Sequence, residues 1–528
     1  MPPVAGSRVI IIGGGLAGIT AALAALDSGA QVLLLDRGGL GLGTNSALAN
    51  GVFAAPTSRH DPRQYQDATL EVGKQLNRPA LVAAAAAHAA EAFAFLRPHG
   101  LDLSEEATHY SFNSPRPDVF RGAEMMRALA ASLRGRAGFT FRGGFQVREL
   151  LKTDDRVVGV RGWDRDGRLL ELTAGAVILA SGGAAAVYAR NDNQKSSLGQ
   201  GWLLAARAGL ALWDLEFVQF YPLVLDQPGL PRVMLYPPYP KQARLLDAQG
   251  RDLAVAQGMA DLNQATQMLR DAFASLVHRA GQSGPVYLDY TAVPEDLWPR
   301  YPMALLRTYH HDFRRQPVRV APGAHFCMGG LRIDAQGRAD LPGLLVCGEA
   351  AWGLHGANRR GGNALTECVV FGMLAGQEAA KEASSSLMEG ESRELSPRPN
   401  ADPAPGAEYR ALLERLRAIA WQRAGLERDA DGIAAGLAEA EALAMDLTAL
   451  TPAGPAQARR RDDLMAGLLF LRGVLLASQA RRESRGGFQR GDYPATGGAE
   501  WLRHSRLVME PDGGLSLSQV PASEVDQV

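Results

Sequence analysis

The sequence predicts an α/β protein: a parallel, doubly wound sheet of the dinucleotide-binding kind, with a helical region toward the end of the chain. Three stretches carry that expectation. The chain opens on the apolar strand RVIII from Arg8, passes through Gly13, Gly15 and Gly18 into the Ala-rich LAGITAALAALDSG, and continues in QVLLLD, which ends on Asp36. A short apolar run, AVILA at 176–180, is followed by Ser181, Gly182 and Gly183. The stretch 346–372, VCGEAAWGLHGANRRGGNALTECVVFG, joins a strand end, a glycine-rich loop carrying His355 and Arg359, and a helix start. That arrangement brings backbone N–H groups to a buried anion.

Each glycine of the first stretch has a mechanical role. Gly13 allows a tight turn, Gly15 lets a pyrophosphate approach the backbone, and Gly18 lets helix and strand pack closely; an acid about twenty positions on, here Asp36, accepts from a ribose hydroxyl. A lone GxGxxG says little. One that leaves an apolar strand, opens a helix and is followed by an acid-tipped strand predicts dinucleotide binding.

Along the chain, residues 1–221 read as the first part of this domain, with helices at 78–96 and 124–133 and short alternating strands such as FQVREL and RVVGVRG. Residues 222–314 turn rich in proline and aromatics, as in YPPYP at 236–240 and LWPRYP at 297–302, a change of character that separates 1–221 from 315–383. Residues 384–407 lack periodicity, are rich in Ser, Pro and Glu, and read as a linker. From 408 to 528 a helical period, carried by Leu412, Leu413, Leu416 and Ile419, precedes a tail expected to be irregular.

Bulk properties exclude several functions. A chain of 528 residues exceeds a single core. With 55 basic and 56 acidic residues and no basic run interleaved with aromatics, nothing predicts a hold on nucleic acid. The three cysteines, Cys327, Cys347 and Cys368, are too few and too scattered for a zinc or iron–sulfur framework, so no metal site is expected and any iron–sulfur relay belongs to another protein. The first strand begins within about ten residues of Met1, too early for a signal peptide. No uninterrupted apolar stretch reaches the roughly 20 residues of a spanning helix. The Ala-rich run at 81–96 carries His88 and Glu91. These features lead to the expectation of a cytoplasmic protein with no direct membrane span, peripheral to a membrane only through a partner.

Taken together the motifs resemble the flavoprotein subunit family of succinate dehydrogenase and fumarate reductase, which also contains L-aspartate oxidase. GGGLAG at 13–18, VILASGG at 177–183, EFVQFYP at 216–222, VYLDY at 286–290, AHFCMGG at 324–330, CGEA at 347–350 and HGANRRGGNAL at 355–365 carry the resemblance in order. ARRESRGGFQRGDYP at 480–494 is similar to the family's last shared block. The resemblance implies a Rossmann-like FAD-binding domain, an inserted α+β capping domain and a C-terminal helical domain. It implies FAD contacts from Gly13, Gly15, Gly18 and Asp36, from Ser181, Gly182 and Gly183, from Glu349 at the ribityl region, and from Asn363, Ala364 and Leu365. The histidine that attaches FAD covalently in membrane-complex members would fall near Thr44; the loop 41–50 has none, so FAD is expected to be non-covalent.

The same resemblance places two substrate anchors, the His of the HxxMGG block at His325 and the Arg of HGANRxGGN at Arg359. The plainer readings are a core histidine and a structural ion pair. Other anchors differ. The family's QFHPT reads Gln219-Phe220-Tyr221-Pro222-Leu223, so Tyr221, a packed aromatic or a phenol donor, replaces an imidazole. The Thr-Glu ahead of the family's RGEGG loop has no counterpart in 235–250, which removes the carboxylate of its Arg–Glu–Arg proton relay; Lys241 and Arg244 either restore charge or are solvated. Arg270 is either the relay's central arginine, since QMLRDAFASL keeps an Arg-Asp pair with Ser275 at the second arginine position, or an ordinary surface residue. TGDG reads Leu198-Gly199-Gln200-Gly201, and 110–122 shows no clear match to the L-aspartate oxidase substrate block. The implied function is an FAD-dependent oxidoreductase that transfers hydride between flavin N5 and a C–C bond next to a carboxylate or similar group of a small organic acid, and passes electrons to a separate iron–sulfur or quinone-linked partner. The alternative is a flavin-bearing electron-transfer subunit of a larger complex with a degenerate substrate pocket.

Overall fold

The computed structural model describes residues 8–268, 270–386, 392–396 and 406–527. Its centre is a parallel sheet in the order Leu344–Val346, Ala176–Leu179, Arg8–Ile12, Gln31–Asp36, Phe139–Gly143. Val9, Ile10, Ile11, Val177, Ile178 and Leu345 are fully buried, as expected of parallel strands covered on both faces. Strand order reverses between Arg8–Ile12 and Ala176–Leu179. The crevice outside the carboxyl ends of such a pair is where ligands bind in open α/β sheets.

Helices Leu16–Asp27 and Asn363–Ser384 pack on this sheet and on each other. Their small residues explain the closeness: a Cβ on Gly376 would lie 2.3 Å from the Ala21 carbonyl oxygen, and one on Gly372 2.8 Å from that of Ala17.

Strand Val218–Leu225, buried throughout, leaves one core and enters another. Val218 and Phe220 belong to the main core, whereas Tyr221 and Leu223 join Leu245, Phe273, Leu288, Trp298 and Val320 in a second. The inserted region is a four-stranded antiparallel sheet, Val218–Leu225, Val318–Cys327, Val286–Asp289 and Arg244–Leu246, with helix Arg270–Ser283 against it.

Helices Ala407–Arg423, Ala430–Ala449 and Pro455–Ala480 form the C-terminal layer. The tail is not irregular. Arg503–Met509 and Leu515–Pro521 form a hairpin that extends a sheet containing Leu212–Trp213, Gly330–Arg332 and Ala351–Trp352. Buried charge fixes it there. His504 Nδ1 lies 2.7 Å from Asp214 Oδ2, Arg481 Nε donates to Glu216 Oε1 at 2.9 Å, and Ser505 Oγ donates to the same oxygen at 2.6 Å. The EFVQFYP acid and the first arginine of the RRESRGG block are therefore partners in one buried ion pair.

Within the stretch read as a linker, Ser392–Ser396 is an edge strand antiparallel to Leu169–Thr173, while 387–391 and 397–405 lie outside the described residues. Contrary to the reading of uninterrupted runs, two described helices, Pro79–His99 and Pro455–Ala480, are long and apolar enough by composition to cross a membrane. Their larger apolar side chains, Leu81, Val82, Phe93 and Leu96 in the first and Leu464, Phe470 and Leu471 in the second, are buried in the core of this fold.

Candidate active site

A cavity of about 1810 Å³ runs along the carboxyl ends of the parallel sheet and under the inserted segment. It exceeds the roughly 300–1,000 Å³ of an ordinary small-molecule pocket and has room for a dinucleotide and a substrate.

At its sheet end, Gly13 has φ +115°, and a Cβ there would stand 2.3 Å from the Ala180 carbonyl oxygen, so only glycine makes this turn. A Cβ on Gly18 would come within 1.9 Å of the Gly13 carbonyl oxygen; Gly18 serves helix–strand packing and does not line the cavity, whereas Gly15 does. Asp36 Oδ2 accepts from Gly14 N and its Oδ1 from Gly38 N, both at 2.6 Å, and burial still pushes this carboxyl above its ordinary range. Ser181 and Gly182 line the cavity, and the Ser181 hydroxyl is buried without a partner. Opposite, Ala364 and Leu365 bring the first turn of helix Asn363–Ser384 to the same space.

Besides Gly18, two expected cofactor residues stand back from the cavity. The Asn363 amide is occupied, accepting from the Tyr65 hydroxyl at 3.1 Å and donating to Thr69 Oγ1 at 3.4 Å. Gly183 leaves room for Glu349, whose Oε1 would lie 2.4 Å from a Cβ there. Glu349 itself lines the cavity, accepts from Cys327 N at 3.1 Å, and is pushed up to about 7 by burial. A glycine turn, a helix N-terminus on either side, an unpartnered hydroxyl and an acid-tipped strand are the groups an FAD pyrophosphate and ribose require, and they fit it.

At the other end the cavity collects all four expected catalytic residues, Tyr221, Arg270, His325 and Arg359. Arg359 is buried; its Nη2 donates to Gln219 Oε1 at 2.7 Å, its guanidinium stacks 4.6 Å over the Phe326 ring, and its Nε has no partner. Burial, then the charge of Arg270, lowers it to about 10, which leaves it cationic at neutral pH. Arg270 is not a free surface residue. Its Nη2 donates to Asn358 Oδ1 at 2.7 Å and to the Arg359 carbonyl at 3.1 Å. The same Asn358 oxygen accepts from Gln219 Nε2 and from Arg359 N, so one amide holds the Arg270 guanidinium directly and that of Arg359 through Gln219.

His325 Nδ1 lies 2.8 Å from the buried Asp192 carboxylate. Tyr221 cannot donate into the cavity. Tyr239 gives its only phenolic proton to the Leu235 carbonyl at 2.5 Å, so the 3.0 Å contact between the two hydroxyls requires Tyr221 to donate to Tyr239. Burial holds the Tyr221 phenol up at about 12, and it remains only an acceptor toward the cavity. Lys241 and Arg244 are exposed and outside the cavity, so they restore no charge within it. His355, in the signature loop, faces away from the cavity, 3.1 Å from Glu367. Asp192, Gln219 and Asn358 escaped the sequence reading. The latter two sat inside quoted motifs with no role attached, and Asp192 lies in ARNDNQK, where no spacing marks it.

These features define a Rossmann-like, FAD-dependent oxidoreductase with a capped active-site cleft. The FAD binding domain family matches residues 8–365, and the family described as Fumarate reductase flavoprotein C-term matches 413–526. The chain is 36% identical over 510 residues to an L-aspartate oxidase of Caulobacter vibrioides, covering 92% of this chain and 93% of that protein. It is 33% identical to an L-aspartate oxidase of Agrobacterium fabrum, over 92% of this chain and 91% of that one. Among solved structures it shares the fold of a variant of E. coli quinol fumarate reductase, with a TM-score of 0.83 at 23% identity over 99% of this chain and 97% of the other. The chain belongs to the FAD-dependent family of succinate dehydrogenase and fumarate reductase flavoproteins and L-aspartate oxidase.

Proposed function

We propose that the protein moves a hydride between FAD and a carbon next to a carboxylate, or a similar group, of a small organic acid, and that its electrons pass to or from a separate partner. The observation that carries this is Arg359: a buried guanidinium that pairs with no carboxylate among the described residues and has an unsatisfied Nε. An unpaired buried charge costs several kcal/mol, so the site is built for an anion. FAD, when bound, supplies the two-electron couple at its ring.

The chain's own residues do the rest. Arg359 offers a planar fork to the carboxylate. His325, its Nδ1 held by Asp192, presents Nε2 to bond the anion. Arg270, steered by Asn358, is placed to give or take the proton that accompanies the hydride. Tyr221, held from behind by Tyr239, walls the site from water.

The relatives' names make L-aspartate the first substrate to try, although 110–122 lacks a clear match to the oxidase substrate block. A degenerate pocket in an electron-transfer subunit is the second reading. It is favoured by Arg270 having amide and carbonyl acceptors, with its nearest carboxylate, Asp271, 3.7 Å from Nε. Stopped-flow mixing of the flavin with L-aspartate, succinate and a panel of enoates separates the two. Turnover-rate reduction or reoxidation by any acid supports the first reading; silence to all of them, with fast exchange to an iron–sulfur protein, supports the second.

A further inference from the structure

We infer that Arg485, which lies outside the cavity, is a positioning residue for Arg359: it holds a strained turn at 73–77 that fixes the loop 353–359 from behind. This rests on the reading that Arg359 holds a substrate anion. The loop is gripped from two sides at Ala357, a fully buried residue two positions before Arg359. The Ala357 N–H donates to the Gly73 carbonyl and its own carbonyl accepts from Gly487 N, both at 2.9 Å. Asn77 Nδ2 donates to the Leu354 carbonyl and Arg78 N to that of Gly353, each at 2.7 Å. Segments 73–78 and 485–488 therefore carry the loop between them.

The first of these segments is strained. Lys74 and Gln75 have φ 56° and 62°, two successive side-chain-bearing residues in the left-handed region, which persists only where the surroundings impose it. Their side chains are exposed and do not anchor the turn. Arg485 does: it is buried, and its Nη1 donates to the Lys74 carbonyl at 3.2 Å. The rest of its planar fork is fixed, Nε on Glu483 Oε1 and Nη2 on the Gly497 carbonyl, both at 2.9 Å. Glu483 is in turn held by Arg481 Nη1 at 2.8 Å and Gly497 N at 2.9 Å. Beside it a Cβ on Gly486 would come within 2.4 Å of the Ala357 carbonyl oxygen, so this block presses directly on the loop. Phe488 shares a small core with Leu76, Ala357 and Phe326, and Phe326 is the ring under the Arg359 guanidinium. One C-terminal block thus backs both the backbone that carries Arg359 and the ring it stacks on. A shift of about 1 Å in an anchoring group costs on the order of 100-fold in rate, so the grip matters to the site.

The test compares Arg485→Gln with a chain that carries the same substitution together with Lys74→Gly and Gln75→Gly. Glycine takes the left-handed turn without being held, so it removes the need for Arg485. In the FAD-loaded protein, Arg485→Gln should speed amide hydrogen exchange at 354–360 by about tenfold or more and leave the sheet amides at 8–12 unchanged. The two glycines should restore the natural rate. Anaerobic stopped-flow titration with L-aspartate should show the same pattern: the half-saturating concentration rises about tenfold in Arg485→Gln and falls back with the glycines. Where Arg485→Gln does not fold, Arg485→Lys, which keeps the charge and loses the fork, carries the same comparison. Unchanged exchange at 354–360 overturns the inference. So does faster exchange that the glycines fail to reverse, the mark of a general loss of packing. If the exchange pattern appears but L-aspartate leaves the natural flavin oxidised, the positioning stands and the reading of Arg359 as the anchor for this acid fails.

Discussion

Arg359 and Arg270 lie side by side, and the proposed function gives them separable duties. Arg359→Lys keeps the charge and loses the fork, so KM for the acid should rise by about 10- to 100-fold with the FAD spectrum unchanged, since a charge-assisted bond contributes about 1.5–3 kcal/mol. Arg270→Gln should lower the rate of flavin reaction with little change in binding, the mark of an interaction made in the transition state; stopped-flow amplitudes and rates read the two apart. Asp192→Asn leaves the volume of the side chain but no longer fixes the His325 tautomer. Turnover should fall by at least about tenfold, with a changed pH profile and less effect on KM. Glu349 offers a stability test. Its folded value, about 7, lies above the ordinary 4.5 because burial disfavours the anion. The folded state therefore holds the proton more tightly, and the associated stability is complete below pH 4.5 and lost as pH rises through 7. Denaturant unfolding of the FAD-free protein should show Glu349→Gln gaining on the natural chain between pH 5 and 8 by an amount on the order of 3 kcal/mol.

Two elements decide where the cofactor cleft opens: helices Leu16–Asp27 and Asn363–Ser384, whose first turns face the cavity from either side. Their approach depends on glycine. Gly376→Leu would drive its Cβ to 2.3 Å from the Ala21 carbonyl oxygen. It should cost at least about 1–3 kcal/mol in unfolding free energy and weaken FAD retention, measured by denaturation and by flavin content after gel filtration. At this scale the sequence was legible where period and punctuation were strong: 78–96 was expected helical and Pro79–Leu96 is. The hairpin at 503–521 was not, although Gly513 and Gly514 mark its turn, because its strands alternate imperfectly. What holds them is Asp214 and Glu216, nearly 300 positions away in the chain.

For the whole molecule, the clearest expectation concerns attachment. Thr44, Asn45 and Ser46 line the cavity where a linking histidine would be needed, so FAD should be released by acid precipitation into the supernatant. Yellow colour retained in the pellet would contradict it. By itself the sequence determined the parallel sheet, the glycine turn and a dinucleotide site, because each depends on local backbone geometry or on residue types at short fixed spacing; FAD and the candidacy of His325 and Arg359 rested on the resemblance its ordered motifs bear to a family. Only the tertiary structure decided that Arg270 lines the cavity beside Arg359, that Tyr221 spends its proton on Tyr239, that Asn363 faces Tyr65, and that Asp192 stands behind His325. Those facts concern side chains brought together from distant parts of the chain, and hydrogen bonding between such partners leaves no periodic trace along it.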